Sequence, residues 1–309
     1  MPDHGGPSVR RRRLAAELRR LREEQGLTAD EVAETLQWSG SKISRIELCR
    51  TGVKVADLGQ LLDIYGVLPE HRDELLVLAR ERRHKGWWEA YTDVLPPWYA
   101  AYIVLESEAD RIFWWSPELV TGLLQTVGYA SAVNDAMAAP ADPPGEIARR
   151  IQARLKRQRI LTGDDPTDVT FVLDESALMR RIGDRQVMRD QLARLVEVSE
   201  MPNISLHVLP LAGTHPLGGG GGFALMQFPP VPGIGPTTDV VYVEQFTSAL
   251  YIEDEAETYR YRLAFQRLLA AALDPEQSRD LIETVKREMW LCPDHAGGPL
   301  RTGAGHLAS

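Results

Sequence analysis

The stretch Gly26-Leu27-Thr28-Ala29-Asp30-Glu31, set between two leucine-rich segments, constrains this chain more than any other feature. Leu14, Leu18 and Leu21 recur at i, i+4 and i+7, which predicts an amphipathic helix over residues 10–25. Gly26 supplies the left-handed conformation that helix C-termini favour. Thr28 then offers an N-cap hydroxyl and Glu31 completes a capping box, so a second helix is expected over 29–36 with Val32, Ala33 and Leu36 inward. A third helix is expected from Ser39, whose hydroxyl can cap it, with Ile43 and Ile46 facing inward. A fourth, 55–65, presents Leu58, Leu61, Leu62 and Tyr65, and Gly66 closes it.

The short turn Gln37-Trp38-Ser39 leaves little freedom between the second and third helices, and Ala33 is small where they must cross. With Ile43 and Ile46 packed inward, Ser41, Lys42, Ser44 and Arg45 project outward. Short polar and cationic side chains on such a helix suit base edges and phosphates. The net charge of −9 argues against nucleic acid only until its distribution is read. Residues 8–56 carry 11 Lys/Arg against 7 Asp/Glu, whereas residues 91–309 carry 19 against 29. A basic head on an acidic body fits a module that meets DNA while the rest stays clear.

The segments RRLREEQGLTADEVAETLQWSGSKISRIELCR and LGQLLDIYGV resemble the phage-repressor (XRE-type) helix-turn-helix family over about 55 residues. The resemblance implies a phosphate contact at Thr28 and base-facing positions at Gly40, Ser41, Ser44 and Arg45, with Arg45 the best donor pair for guanine; Ser39 and the outward Lys42 are further DNA-binding candidates. It places Arg50 near the DNA backbone and pairs Arg22 with Glu47 as a structural ion pair. Ala29 replaces a frequent Gln, which removes one contact, and Cys49 stands where the family has Gly. The Arg10–Arg13 run reads equally as a solvated helix start or as a phosphate-binding arm.

Another helix is expected over 70–85, which would close a helix-turn-helix domain at 10–85, with an aromatic, proline-containing linker at 86–103. From 104 to 290 the pattern predicts helices over 103–115, 121–137, 146–161, 175–181 and 185–200. Short strands are expected at 168–174, 204–209, 222–228, 239–244 and 249–253, with closing helices at 255–272 and 275–289. The expected fold class is α+β overall. An N-terminal all-α helix-turn-helix bundle precedes an α+β domain with a small, mostly antiparallel sheet flanked by helices. Residues 1–9 and 291–309 are expected to be disordered tails. The segments LESEADRI, TGLLQT with GYA, RLKRQ, LDESAL, PNISLHVLP and VVYVEQ resemble the effector domain of actinobacterial WhiJ-like regulators over about 100–288, with Thr121 in place of the usual Pro. That resemblance implies a sensing or partner-binding role, in an arrangement likened to toxin–antitoxin pairs.

No reaction stands out. The glycine run 218–222 lacks the Lys-Ser/Thr of a phosphate loop and precedes a strand. His207 and His215 have no partner at metal-ligand spacing, and Cys49 and Cys292 make neither a disulfide framework nor a zinc site. Asp174-Glu175 fits helix capping better than acid–base work, and Ser131, Ser176 and Ser248 lack a nucleophile elbow. The expectation is therefore a non-enzymatic DNA-binding regulator that needs no cofactor or metal. Its partners would be double-stranded DNA, a second copy in a homodimer, and either a small separately encoded protein or a small-molecule ligand. The alternative is an antitoxin-like protein whose main act is binding a small partner. No secretory leader and no apolar run of about 20 residues is evident, so a cytoplasmic location is expected. Two features stay open. The basic stretch Arg149–Arg159 suits a solvated surface, an acidic partner or the segment Glu253–Glu257, while Trp87, Trp88, Trp98, Trp114 and Trp115 suit a ligand pocket or an interdomain core.

Overall fold

The computed structural model describes residues 9–80, 86–137, 143–213, 221–230 and 239–291. The glycine run 218–222 lies mostly outside them, as do His215, Cys292 and the expected tails, except that Val9 opens the first helix and Leu291 ends the last turn.

The head comprises α1 (Val9–Glu24), α2 (Ala29–Thr35), α3 (Gly40–Glu47), α4 (Val55–Ile64) and α5 (Pro69–Arg80). Leu14, Leu18, Leu21, Val32, Ala33, Ile43, Ile46, Leu58, Leu61, Leu62, Tyr65 and Leu75 form its buried core. Thr28 caps α2 through the capping box, accepting from the Glu31 amide while Glu31 takes the Thr28 amide at 2.7 Å. Ser39 occupies the N-cap position of α3 but makes no capping hydrogen bond; its hydroxyl lies 3.3 Å from that of Ser41.

The first four helices end alike. The residue after each C-cap has positive φ, at Gly26, Gln37, Cys49 and Gly66. At α3, the Cys49 amide donates to Ile46 and the Arg50 amide to Arg45, both at 2.8–2.9 Å, which is the pairing of a Schellman motif. Gly26 and Gly66 adopt this conformation without a Cβ penalty, whereas Gln37 and Cys49 do so against side-chain sterics. Cys49 therefore keeps the turn for which the family resemblance expects Gly, at a cost in backbone energy.

The body begins with a 3-10 turn (Trp87–Tyr91) and α6 (Pro97–Glu108), then β1 (Arg111–Ser116), α7 (Val127–Met137), α8 (Pro144–Arg157) and β2 (Asp168–Asp174). There follow α9 (Glu175–Met179), α10 (Arg185–Val198), β3 (Ile204–Leu209), β4 (Phe223–Gln227), β5 (Val240–Glu244) and β6 (Ala249–Ile252). Helices α11 (Glu255–Ala271) and α12 (Pro275–Val285) and a π-helical turn (Lys286–Leu291) complete it. One six-stranded sheet runs β3-β2-β1-β4-β5-β6, with β1–β2 and β2–β3 parallel and the other three pairs antiparallel. The molecule is α+β, as expected.

Strand residues alternate between two buried faces, so the sheet is covered on both sides. Ile112, Val169, Phe171, Leu173, Ala224, Met226, Val240 and Tyr242 share one core with α6, α7, α8, α10 and α12. Trp115, Val172, Phe223, Leu225 and Val241 face Phe265 and Leu268 of α11. The helix expected over 103–115 is instead the end of α6 followed by β1. Arg-Ile-Phe-Trp-Trp-Ser sits between β2 and β4, where aromatic and β-branched side chains pack well on a pleated surface. The helix expected from 121 starts only at Val127, because side chains hold the preceding residues in a loop. Gln158 Nε2 donates to the carbonyls of Gly122 and Gln125, and Gln125 Nε2 to that of Val120.

The expected linker 86–103 is part of the body. Val94, Leu95, Tyr99, Tyr102 and Ile103 lie in the core, with Trp87, Trp88 and Trp98 packed against it. The tryptophans therefore divide between the two cores of the body, Trp114 joining the first and Trp115 lying fully buried in the second.

Candidate nucleic-acid interface

The scaffold that aims α3 rests on one buried contact. Arg22 of α1 donates from Nε and Nη2 to the two carboxylate oxygens of Glu47 at 2.7 and 2.9 Å, and from Nη1 to the Leu27 carbonyl. Both side chains are about nine-tenths buried, at 11% and 8% exposure, so the bidentate pair is well shielded from water. Ala33, 3% exposed, lets α2 and α3 approach closely. Gly40 is the first residue of α3; a Cβ there would lie 2.7 Å from Oδ1 of the exposed Asp30 side chain, which can turn away.

On the outer side, Thr28, Ser39, Ser41, Ser44, Arg45 and Arg50 are exposed. Arg45 Nε donates to the Ser41 carbonyl one turn back at 3.1 Å, which lays the guanidinium along the exposed face of α3. Arg50 follows in the loop closed by the Schellman turn, and Lys54 is exposed just beyond it. Lys42 is placed differently. Its ammonium lies 3.0 Å from Asp57 and 3.4 Å from the centre of the Trp38 ring, so it ties α3 to α4 and to the inter-helix turn. The exposed cations on this side are thus Arg45, Arg50 and Lys54, rather than Lys42.

The Arg10–Arg13 run is neither a solvated helix start nor a free arm over its described side chains. Arg12 pairs with Glu253 and lies 5.8 Å from the centre of the Tyr251 ring, both at the end of β6. Arg13 has both terminal nitrogens buried without a hydrogen-bond acceptor, and burial lowers its pKa to about 10. Arg11 lies against Gly52 in the loop after α3.

The second basic stretch behaves otherwise. Arg149 holds Asp93 and the Ala90 carbonyl, Arg150 donates to the Val94 carbonyl, and Arg154 donates to Gln125. Lys156 sits 5.7 Å from the centre of the Trp87 ring. Arg157 is buried against Glu106, at 4% and 0% exposure, with Nε 2.9 Å from Oε2, and it is surrounded by Tyr99, Tyr102 and Trp114. Arg149, Arg150 and Lys156 thus fasten the aromatic segment 87–95 to α8, while Arg154 and Arg157 tie α8 to Gln125 and Glu106.

The candidate catalytic groups are engaged structurally. Asp174 caps α9 through the Ser176 amide, Glu175 accepts from the Leu211 amide, and the Ser131 and Ser176 hydroxyls donate to backbone carbonyls. His207 lies between the Ser205 hydroxyl at 2.8 Å and the Leu273 carbonyl at 2.9 Å. Among the described residues no group of three His, Cys, Asp or Glu side chains can hold a metal ion. An open polar depression of about 500 Å³ lies at one end of the sheet, lined by Asp110, Arg111, Asp168, Gln227, Asp239 and Arg262. Sequence reading missed it, because it joins four elements distant in the chain.

No helix among the described residues is long and apolar enough to cross a membrane. A family model described as a helix-turn-helix domain matches residues 13–75, and one described as Domain of unknown function (DUF5753) matches residues 99–284. No curated protein and no solved structure matches the chain.

Proposed function

The chain belongs to the family Domain of unknown function (DUF5753), and from its helix-turn-helix head we propose that it is a sequence-specific DNA-binding regulator of transcription. One observation carries this reading: α3 presents Ser41, Ser44 and Arg45 to solvent on a scaffold fixed by the Arg22–Glu47 pair. Such a helix fits the major groove, where Arg45 can donate two hydrogen bonds to a guanine edge. Thr28, Ser39 and Arg50 flank it and meet the phosphates on either side, Gly40 opens the base-facing side of the helix, and Lys42 ties the helix to α4 through Asp57. This is an XRE-type reading of the head. In it, two copies act as a homodimer on paired half-sites, because one helix of this size has limited affinity alone.

The body then serves as a sensing or partner-binding domain of the WhiJ-like kind, without a reaction of its own, inside the cytoplasm where the DNA is. A second, antitoxin-like reading has its own observation. Phe246 and Leu250 are 80% and 56% exposed on the hairpin that carries edge strand β6, where a small protein partner could seat.

The test is occupancy of the host chromosome by the wild-type chain and by Arg45→Ala at equal expression. The expected result is a limited set of sites that the variant loses or redistributes. Identical occupancy by both proteins would remove Arg45 from the reading surface.

A further inference from the structure

We propose that the start of α1 is a phosphate-binding flank of the DNA interface, which the body of the same chain occupies in this structure through Glu253 and Tyr251. This rests on the head binding DNA. Three placements carry it. The start of α1 lies beside the loop that follows the recognition helix: Arg11 packs on Gly52, and Cys49 lies in the field of both Arg11 and Arg12. The exposed Arg50 and Lys54 belong to the same loop, so the arginines of α1 continue the cationic surface of α3 past its C-terminal end. Arg12, however, is held by the body, paired to Glu253 and facing the Tyr251 ring.

The contact is unevenly compensated. Arg12 gains a carboxylate and an aromatic face, but Arg13, carried in with it, has both terminal nitrogens buried without an acceptor. A guanidinium withdrawn from water without hydrogen bonds is costly, so docking of the head gives back part of what the Arg12 pair supplies. The nearby Glu108 only partly offsets the burial of Arg13. DNA phosphates offer both arginines anionic acceptors. Glu253 and the phosphate backbone thus compete for one cation, and DNA binding opposes docking of the head on β6.

The competition is tested with the full chain and a random-sequence 30-base-pair duplex, by fluorescence anisotropy over a range of salt. Glu253→Gln is expected to tighten binding about fivefold, because it lowers the population of the docked state. It should also steepen the salt dependence by about one counterion, from the added phosphate contact. Glu276→Gln with Glu283→Gln, two exposed carboxylates of α12, controls for the general loss of negative charge and should change affinity far less. In an Arg12→Gln background, Glu253→Gln should have almost no effect, since the pair is already broken. Equal gains from Glu253→Gln with and without Arg12 would overturn the competition while leaving DNA binding intact. Absence of binding by every variant, Glu253→Gln included, would overturn the DNA-binding reading itself. A readout without DNA separates the two: Glu253→Gln should speed amide exchange in β6 and at residues 11–14, and unchanged exchange would mean the contact does not hold the head.

Discussion

Helix α8 and the segment formed by α3 and its following loop both carry exposed-looking cations in the sequence, and they teach opposite lessons about what a basic patch means. Helix α8 carries Arg149, Arg150, Arg154, Lys156 and Arg157, and each meets a carboxylate, a carbonyl, an amide or an aromatic ring of its own body. Helix α3 and its following loop carry fewer cations, yet Arg45 and Arg50 stand exposed. The difference lies in what surrounds each charge. Buried cations need partners because desolvation is expensive, as at Arg157, and the more exposed Arg149 and Arg150 of α8 are engaged by Asp93 and by backbone carbonyls of the aromatic segment. Helix α3 turns its apolar stripe into the head and leaves its polar side open. The number of arginines in a segment therefore says less about a nucleic-acid site than the number whose guanidinium stays exposed to solvent.

The comparison breaks most readily at Arg157. Truncation to Ala strands Glu106 as a buried, unpaired carboxylate, and should cost the body about 3–5 kcal/mol in chemical denaturation, with the head unaffected. A much smaller loss would mean that the pair is less shielded than its burial indicates. Arg45→Ala is the counterpart in the head. It should leave the denaturation midpoint unchanged but cost about 1–3 kcal/mol of discrimination at one base pair. Arg149→Ala, by contrast, should leave DNA affinity as it was, since its guanidinium is engaged with Asp93. If Arg149→Ala weakened DNA binding as much as Arg45→Ala, the division between the two helices would fail.

A smaller effect sharpens the account of the head. Cys49→Gly should raise its stability by about 1 kcal/mol, because glycine adopts the left-handed position after α3 without a Cβ clash. Thermal unfolding that shows no gain would mean that the cysteine side chain contributes packing that offsets the strain. Smallest is an acid effect at Glu17. The hydrogen bond from Arg20, followed by that from His71, holds its carboxyl below the usual carboxylate range. The unfolded chain therefore takes up this proton at a higher pH than the folded one. The stability concerned is present above about pH 4.3 and is lost as pH falls through the lowered value. Glu17→Gln should flatten that part of the acid denaturation curve, and an unaltered curve would assign the acid sensitivity elsewhere.

Much of the head was legible because its signals are local. The Gly26 stop, the Thr28–Glu31 capping box and the inward isoleucines of α3 each act within one or two turns. The Arg22–Glu47 pair, 25 residues apart, came only through family resemblance. In the body the legible parts were the alternating strands and the capped helices, such as α11 behind Asp254. What failed was set by distant partners. Strand β1 reads as helix until β2 and β4 flank it, and residues 121–126 read as helix until Gln158 reaches their carbonyls. The Lys42–Asp57 pair, which joins α3 to α4, was likewise not legible from local pattern. The same holds for Arg12, whose partner Glu253 lies 241 positions along the chain.

The most direct measurement of the central claim is selection from a random duplex pool with the full chain, in parallel with Arg45→Ala. The account predicts an enriched motif containing a guanine whose preference disappears in the variant, while the remaining positions persist. No enrichment by the wild-type chain, or the same motif recovered with Arg45→Ala, would contradict the assignment of α3 as the element that reads DNA.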